Sequence, residues 1–368
     1  MRERRQIVQL WRQGNASALV TLVKVTGSSY RQPGARLLLN GDGEYAGTIS
    51  GGCLETEVIR KAAWMVREGA VVERYSTMFD DTAEIPFGLG CGGEVDLLIE
   101  PAETPECKAL MAAMSASLAG EKTTVVTWLP GNEKTLRRVV LAADGAIVFT
   151  SEGLGEKKLA CAYGLRPGTE YEGRFVEELE APQRLVVFGA GDDAKPLVSM
   201  AALLGWNVTI ADGRRQLAKA ERFPDAERVV GSADVRELGV SSDDAVVLMT
   251  HSYDQDREIL AALLPLAPRY LGLLGARHRS ALLISETASL TGLPIAQCCQ
   301  RVHAPVGFDL GGDGPEAVAL AVIAEAQACC NSKAGVSRKL TAESVAEQIA
   351  LGGASRYLQS RCVMDETR

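Results

Sequence analysis

Several absences narrow the field before any motif is read. The 368-residue chain has no stretch approaching the roughly 18 uninterrupted apolar residues that cross a bilayer, so no helical membrane span is expected. Its first residues, Met1-Arg2-Glu3-Arg4-Arg5-Gln6, are charged and lack the apolar core and small-residue cleavage site of a secretory leader, which points to the cytoplasm. Positive charge is not in excess: 39 Lys and Arg face 47 Asp and Glu, a net charge of −8. Nucleic acid is therefore not expected as a main partner, because phosphate backbones are bound by basic surface. None of the nine cysteines forms a C-x-x-C pair, which removes the usual structural zinc site and fits a compartment where thiols stay reduced. The adjacent pairs Cys298-Cys299 and Cys329-Cys330 read as core filling. Histidine is scarce, with three in the whole chain.

What is present is a soluble globular composition, 46% hydrophobic and 23% charged, over a length that favours two domains. In the first hundred residues two cysteines sit in glycine-rich loops, Ser50-Gly51-Gly52-Cys53-Leu54-Glu55 and Gly88-Leu89-Gly90-Cys91-Gly92-Gly93. A thiol flanked by glycines is not packed like a core cysteine. The glycine flank lets the backbone turn sharply, keeps sulfur accessible and leaves amide N–H groups to face an anion. The surrounding pattern predicts a helix over 3–13, strands over 18–25, 35–39 and 44–48, a helix over 54–68 and a strand over 94–100. Cys53 then lies at a strand-to-helix turn and Cys91 just before a strand, so both thiols are expected on one rim of a sheet. Arg31 and Arg36 flank the Pro33-Gly34 turn, either as solvated charges or as a planar fork for phosphate. A helix over 105–120 and strands over 123–129 and 137–150 extend this domain, and the Glu-, Gly- and Pro-dense stretch 151–183 reads as the boundary.

The second half opens on an apolar strand, 183–188, running into Gly189-Ala190-Gly191, a helix to Leu204, a strand over 206–211 and then Asp212. Strand, G-x-G-x-x-A, helix, strand and acid in register form the dinucleotide fingerprint, with Asp212 placed for ribose hydroxyls. Arg214 and Arg215 follow, either facing a ribose phosphate or lying on the surface. The alternation continues with strands at 228–230, 245–250 and 269–275, helices at 254–266 and 276–290, and a long helix over 316–330. His251, His278 and His303 each lie in a loop after a strand or before a glycine-rich turn, and His251 follows its strand at the edge where such sheets bind ligands. The expected fold is α/β: an N-terminal mixed α/β domain over 1–175, a Rossmann-like doubly wound parallel-sheet domain over 183–330, and a peripheral helix and tail over 331–368.

Taken together, Gly27-Ser28-Ser29, Pro33-Gly34-Ala35-Arg36, the two cysteine loops, Phe188-Gly189-Ala190-Gly191, Thr250-His251, Leu274-Gly275-Ala276-Arg277 and His303-Ala304-Pro305-Val306-Gly307 resemble the xanthine dehydrogenase accessory protein family, XdhC/CoxI. The resemblance covers about residues 1–330 in the family's domain order. It implies a chaperone that binds the molybdenum cofactor (molybdopterin), assists its sulfuration with a cysteine desulfurase, and inserts it into a molybdenum hydroxylase apoenzyme, working as a homodimer. It also implies that Cys53 and Cys91 lie near the molybdenum or the sulfur being transferred. Arg31, Arg36, Gly51, Gly52, Gly90, Gly92, Gly189, Gly191, Asp212, His251, Arg277 and His303 would then line the cofactor. Asp192 stands where the family often has histidine, and Tyr30 where proline is common, which suggests a divergent member. An NAD(P)-dependent oxidoreductase using the Rossmann half, or a redox scaffold pairing Cys53 with Cys91, are the competing readings.

Overall fold

The computed structural model describes residues 1–52, 54–76, 93–131, 133–169, 171–337 and 339–350. They fall into two compact units, Met1–Glu237 and Leu238–Arg368.

The first unit begins with α1 (Arg2–Arg12), β1 (Ala16–Thr26), β2 (Arg36–Asn40), β3 (Tyr45–Gly47), α2 (Glu55–Met65), β4 (Val71–Ser76) and β5 (Glu94–Pro101). The strands form an antiparallel sheet in the order β3-β2-β1-β5-β4. β1 is the centre, with Leu19 opposite Leu38 on one side and Val20 opposite Ile99 on the other. It is apolar almost throughout because both of its faces are covered. Leu19 and Leu38 join one core with Ile7, Val8 and Met111, while Ala18, Val20, Leu22 and Leu37 join another beneath Val58 and Ala62 of α2. Successive side chains of a strand point to opposite faces, so a doubly covered strand loses its polar alternation.

Next come α3 (Pro105–Leu118), β6 (Thr123–Trp128), β7 (Arg137–Ala142), β8 (Ile147–Thr150), α4 (Glu156–Ala162) and β9 (Arg174–Leu179), with a second antiparallel sheet in the order β8-β7-β6-β9. The segment read from sequence as a boundary is thus ordered structure: β9 pairs along its whole length with β6, Thr123 opposite Leu179 and Trp128 opposite Arg174. α3 is well started, with Thr104 as N-cap accepting from the Cys107 amide and Pro105 at the first helical position. Its apolar face and α1 fill the core shared by the two sheets, through Leu110, Met114, Val125 and Val140.

One ion pair is sealed in that interior. Arg138 on β7 donates to both oxygens of Glu100 on β5 at 3.0 Å, to Thr127 Oγ1 at 3.0 Å and to the Glu106 carbonyl at 2.7 Å. Burial alone would lower the Arg138 pKa, but the Glu100 carboxylate more than offsets it and the guanidinium ends above its ordinary value. A fork-to-fork pair with its remaining donors satisfied is the arrangement in which buried charge is tolerated.

The Rossmann strands follow: β10 (Arg184–Phe188), β11 (Asn207–Ala211) and β12 (Arg228–Val230) with α5 (Ala194–Leu203) and α6 (Val235–Leu238), then β13 (Ala245–Leu248), α7 (Tyr253–Leu263), β14 (Tyr270–Leu273), α8 (Arg277–Thr291), α9 (Ile295–Arg301), α10 (Pro315–Cys330) and α11 (Ala342–Ala350). In the first unit β10, β11 and β12 pair in parallel, and in the second unit β13 pairs in parallel with β14. Every residue of β13 and β14 is buried, as expected for parallel strands with helices on both faces. No helix among the described residues is long and apolar enough to cross a membrane.

The cysteine pairs correct one expectation. Cys298 is buried as a core residue, but its neighbour Cys299 is exposed, and Cys329 and Cys330 are half-buried. Adjacent residues of a helix point about 100° apart, so a vicinal pair cannot place both thiols in one core.

Candidate functional site

The first glycine-rich loop leaves β3 and enters α2. Glu55, the first residue of that helix, reaches back over the loop and is buried. Its carboxylate accepts from the Ile49 amide at 3.0 Å, the Ser50 amide at 2.8 Å and the Ser50 hydroxyl. Ser50 Oγ in turn accepts from the Gly52 amide at 3.2 Å and the Leu54 amide at 3.1 Å. These four amides, which the sequence suggested would face an outside anion, are already held from within. Burial pushes the Glu55 carboxyl up, yet the Ser50 hydroxyl and the loop amides outweigh that and leave it below its ordinary value.

Cys53, Gly90, Cys91 and Gly92 lie outside the described residues. The flanks of their loops, however, meet one segment. An added Cβ on Gly93 would stand 2.2 Å from the Ser28 carbonyl oxygen and 2.8 Å from that of Thr26, so the chain entering β5 is pressed against the Gly27–Ser29 turn. A Cβ on Gly51 would stand 3.6 Å from the Tyr30 ring, and Tyr30 itself is 75% exposed. Residues 28–30 thus touch the described edge of each cysteine-bearing loop.

The same segment runs on into a cleft lined by both cations and carboxylates. Arg31 donates to Glu3 at 2.9 Å and to Thr48 Oγ1 at 3.0 Å, tying α1 to the end of β3. Arg36 is buried, donates to the Gly34 carbonyl at 3.0 Å and pairs with Glu177 of β9, while its Nε has no partner. Arg31 and Arg36 therefore hold different carboxylates and do not form one fork. The third cation is one that sequence reading missed. Arg4 of α1 donates to Ser117 Oγ at 2.8 Å and the Glu180 carbonyl at 2.7 Å, and burial followed by repulsion from Arg36 brings its pKa down to about 10. A signal for it existed: Arg4 lies three and four residues before the buried Ile7 and Val8, so a cation occupies the helix face that turns inward. Arg4, Gln32–Gly34 and Arg36 line both a cleft of about 1090 Å³ and, with Arg31, a smaller one of about 420 Å³.

At the Rossmann turn, Gly189 has φ +122°, a conformation that favours glycine. Asp212, at the end of β11, is buried and does not present a bare carboxylate. It accepts from the Ala190 amide at 2.8 Å, from the Arg214 amide at 2.8 Å, and from the Arg214 guanidinium at 3.0 and 2.7 Å. Burial raises the Asp212 carboxyl, but the bonds from Arg214 and the Ala190 amide outweigh that and leave it below its ordinary value. Arg214, which the sequence left between a phosphate ligand and a surface charge, is instead the partner of Asp212. Asp192, beside Gly191, is 81% exposed and paired with Lys195 at 2.6 Å and Arg222 at 2.9 Å. Asp212 meets the turn at the Ala190 amide, between Gly189 and Gly191.

In the second unit, His251 follows β13 with φ +61°, strained for a residue with a side chain, and is exposed. Beside it the buried Asp256 accepts from Thr250 Oγ1 at 2.7 Å and pairs with Arg279 at 2.7 Å, bracing the chain between β13 and α7. Arg277 and His278 are exposed in the first turn of α8. His303 is inside a different network: its backbone bonds to Leu271 and Leu273 of β14, and its ring lies 3.1 Å from Glu325 on α10. Among the described residues no group of three or more His, Cys, Asp and Glu has the geometry to hold a metal ion.

Comparison with known proteins shows what the chain as a whole resembles. Residues 10–76 match the family model described as the XdhC and CoxI family, and residues 185–326 match that of the XdhC Rossmann domain. A protein of Bacillus subtilis described as a probable xanthine dehydrogenase subunit is 26% identical over 315 residues, 84% of this chain and 92% of that protein. The molybdenum cofactor insertion chaperone PaoD of Escherichia coli is also 26% identical, over 85% of this chain and 83% of its own. A crystal structure described as a xanthine dehydrogenase from Bacillus halodurans superposes with a TM-score of 0.77 at 26% identity, covering 93% of this chain and 99% of that one. With both halves matched in order around the two glycine-rich turns, the chain belongs to the XdhC/CoxI family.

Proposed function

We propose that this protein is a carrier of the molybdenum cofactor, taking it as cargo and inserting it into a molybdenum hydroxylase apoenzyme of the xanthine dehydrogenase type. The observation that carries the reading is a pair of arginines: Arg4 and Arg36 line the same two clefts, and the buried Arg36 Nε has no partner. A phosphate bound there would meet two guanidinium groups, whose planar fork suits phosphate oxygens. In this reading Cys53 and Cys91 offer thiolates, soft ligands suited to the molybdenum or its sulfido group. The names of the Bacillus subtilis and Escherichia coli relatives support the same cargo and client. A cysteine desulfurase as sulfur donor, a cytoplasmic location and a homodimer complete the proposal.

The test is purification from a cofactor-producing host, with molybdenum per chain and fluorescence of the oxidised pterin as readouts. Wild type should retain both. Arg36→Lys keeps the charge opposite Glu177 but loses the planar fork, and should lower both about tenfold. The double variant Cys53→Ala, Cys91→Ala should lose molybdenum and activation of the client while melting like wild type. Wild-type retention in that double variant would overturn the role given to the thiols.

A further inference from the structure

Away from the glycine-rich turns, Cys329 near the end of α10 has a base and an orienting acid beside it. Its Sγ lies 4.0 Å from His303 Nε2 and 3.3 Å from the Arg269 carbonyl, to which the thiol donates. The other ring nitrogen, Nδ1, lies 3.1 Å from Glu325 Oε1. Glu325 precedes Cys329 by one helical turn, so both side chains rise from one face of α10. Its second oxygen is fixed by the Tyr270 hydroxyl at 2.6 Å and the Gly307 amide at 2.9 Å. The Tyr270 ring packs on the imidazole with centroids 4.6 Å apart. With Glu325 accepting from Nδ1–H, the imidazole presents its unprotonated Nε2 to the sulfur. That is the logic of a nucleophile, a base and a group that sets the base's tautomer.

The surroundings explain why a base is needed. Burial, then the Glu325 carboxylate, push the Cys329 thiol up, against a smaller pull from Arg269. Cys329 is also in the last turn of its helix, where the dipole disfavours a thiolate. Left to itself this thiol would be slower than an exposed cysteine. Cys330 next to it is pushed up to about 11.

We infer that Cys329 is a nucleophilic thiol site for small disulfides, with His303 as its proton acceptor and Glu325 as the positioning residue. The reaction is exchange. Cys329 passes its proton to His303 Nε2 as the sulfur attacks one sulfur of R–S–S–R. A Cys329–S–S–R bond forms, the R–S–S–R bond breaks, and the departing thiolate takes the proton from the imidazolium as R–SH. No outside oxidant or reductant enters, because the small disulfide carries the oxidation into the mixed disulfide. The site is half-buried, in keeping with a small partner. It does not depend on cofactor carriage.

The experiment treats the full chain with oxidised glutathione and follows each cysteine by peptide mass spectrometry. The exposed Cys299 serves as the ordinary thiol and the buried Cys298 as the report on folding. At neutral pH Cys329 should react at least tenfold faster than Cys299, the low end of what a positioned base supplies. His303→Gln should bring Cys329 to or below the rate of Cys299 while leaving Cys299 unchanged. Glu325→Gln should lower the Cys329 rate and move its pH profile, since Tyr270, Gly307 and the imidazole all meet at that carboxylate. A Cys329 rate no higher than that of Cys299 in wild type overturns the proposal without any variant. So does a His303→Gln chain with protected Cys298 and an unchanged Cys329 rate.

Discussion

Two glycine-rich turns in the first unit lead from a strand into a helix, and each is closed by a carboxylate drawn from a different distance. At Ile49–Leu54 the acid is Glu55, the next residue along, which folds back over its own loop. At Gly189–Gly191 it is Asp212, carried to the turn by the neighbouring strand β11. The first acid's named partners all lie inside the loop; the second shares its carboxylate with Arg214, a side chain 39% exposed. The difference teaches that a motif which looks like an anion receptor can be filled from within. Both acids are buried, so how firmly depends on whether the acid's partners all lie inside the loop or include an exposed side chain.

The largest effect separating the two should come from removing the acids. Glu55→Ala strands the Ile49 and Ser50 amides in a buried loop, at a cost of about 3 kcal/mol or more, since bonds to charged groups contribute roughly 1.5–3 kcal/mol and unpaired buried donors add to the loss. Asp212→Ala frees the Ala190 amide but leaves Arg214 near water, so about 1.5 kcal/mol is expected. Urea midpoints at constant slope read both. Equal costs would erase the distinction between local and remote closure.

Acid titration should sharpen it. Glu55 and Asp212 both have folded pKa values below their ordinary 4.5 and 3.8, so the stability they contribute is present at neutral pH and is lost as pH falls through that range toward the folded values. Wild type should therefore lose stability on going below about pH 4.5, and Glu55→Gln should flatten the upper part of that limb while Asp212→Asn flattens only the lower part. Thermal melts between pH 3 and pH 7 are the measurement. A Glu55→Gln limb parallel to wild type would mean that the buried carboxylate is not the group being titrated.

How much of this was legible in the sequence follows the range of the interactions. The strands β10, β11 and β12, the helix α5 and the acid at Asp212 are set by local apolar runs and turn residues, and they stand where the pattern placed them. β9 hid within a stretch dense in Gly, Pro and Glu because its apolar Phe175 and Val176 are flanked by charge, and only pairing with β6 makes it a strand. β4, at the edge of its sheet, is Val-Val-Glu-Arg-Tyr-Ser and offers too short an apolar signal. The Glu100–Arg138 pair joins residues 38 apart through two sheets, and no local spacing announces it. At the candidate site the glycines and Asp212 were visible as a motif. The partners that fill it, Arg214 and the back-folded Glu55, were visible only as charges. Arg4 and Glu177, which set the electrostatics around Arg36, depend on where α1 and β9 pack. The thiol–imidazole–carboxylate set of Cys329, His303 and Glu325 was split in the sequence between a cysteine pair read as core filling and a histidine read as a ligand.

The smallest effect tests whether the shared acid is held in reserve for a nucleotide. Arg214→Ala removes a partly exposed partner, so the stability cost should be at most about 0.5 kcal/mol. Its informative readout is calorimetric titration with NADH and NADPH. A carboxylate that can accept ribose hydroxyls should bind the dinucleotide more tightly once the guanidinium is gone. The expected result is no gain, because one oxygen of Asp212 still accepts from the Ala190 amide and the other from the residue 214 amide. Both bonds aim the carboxylate at its own turn rather than out of it. A dinucleotide affinity that appears in Arg214→Ala would instead make Asp212 a receptor covered by its neighbour. The two turns would then differ in kind, one a closed structural loop and the other a site gated by a single side chain.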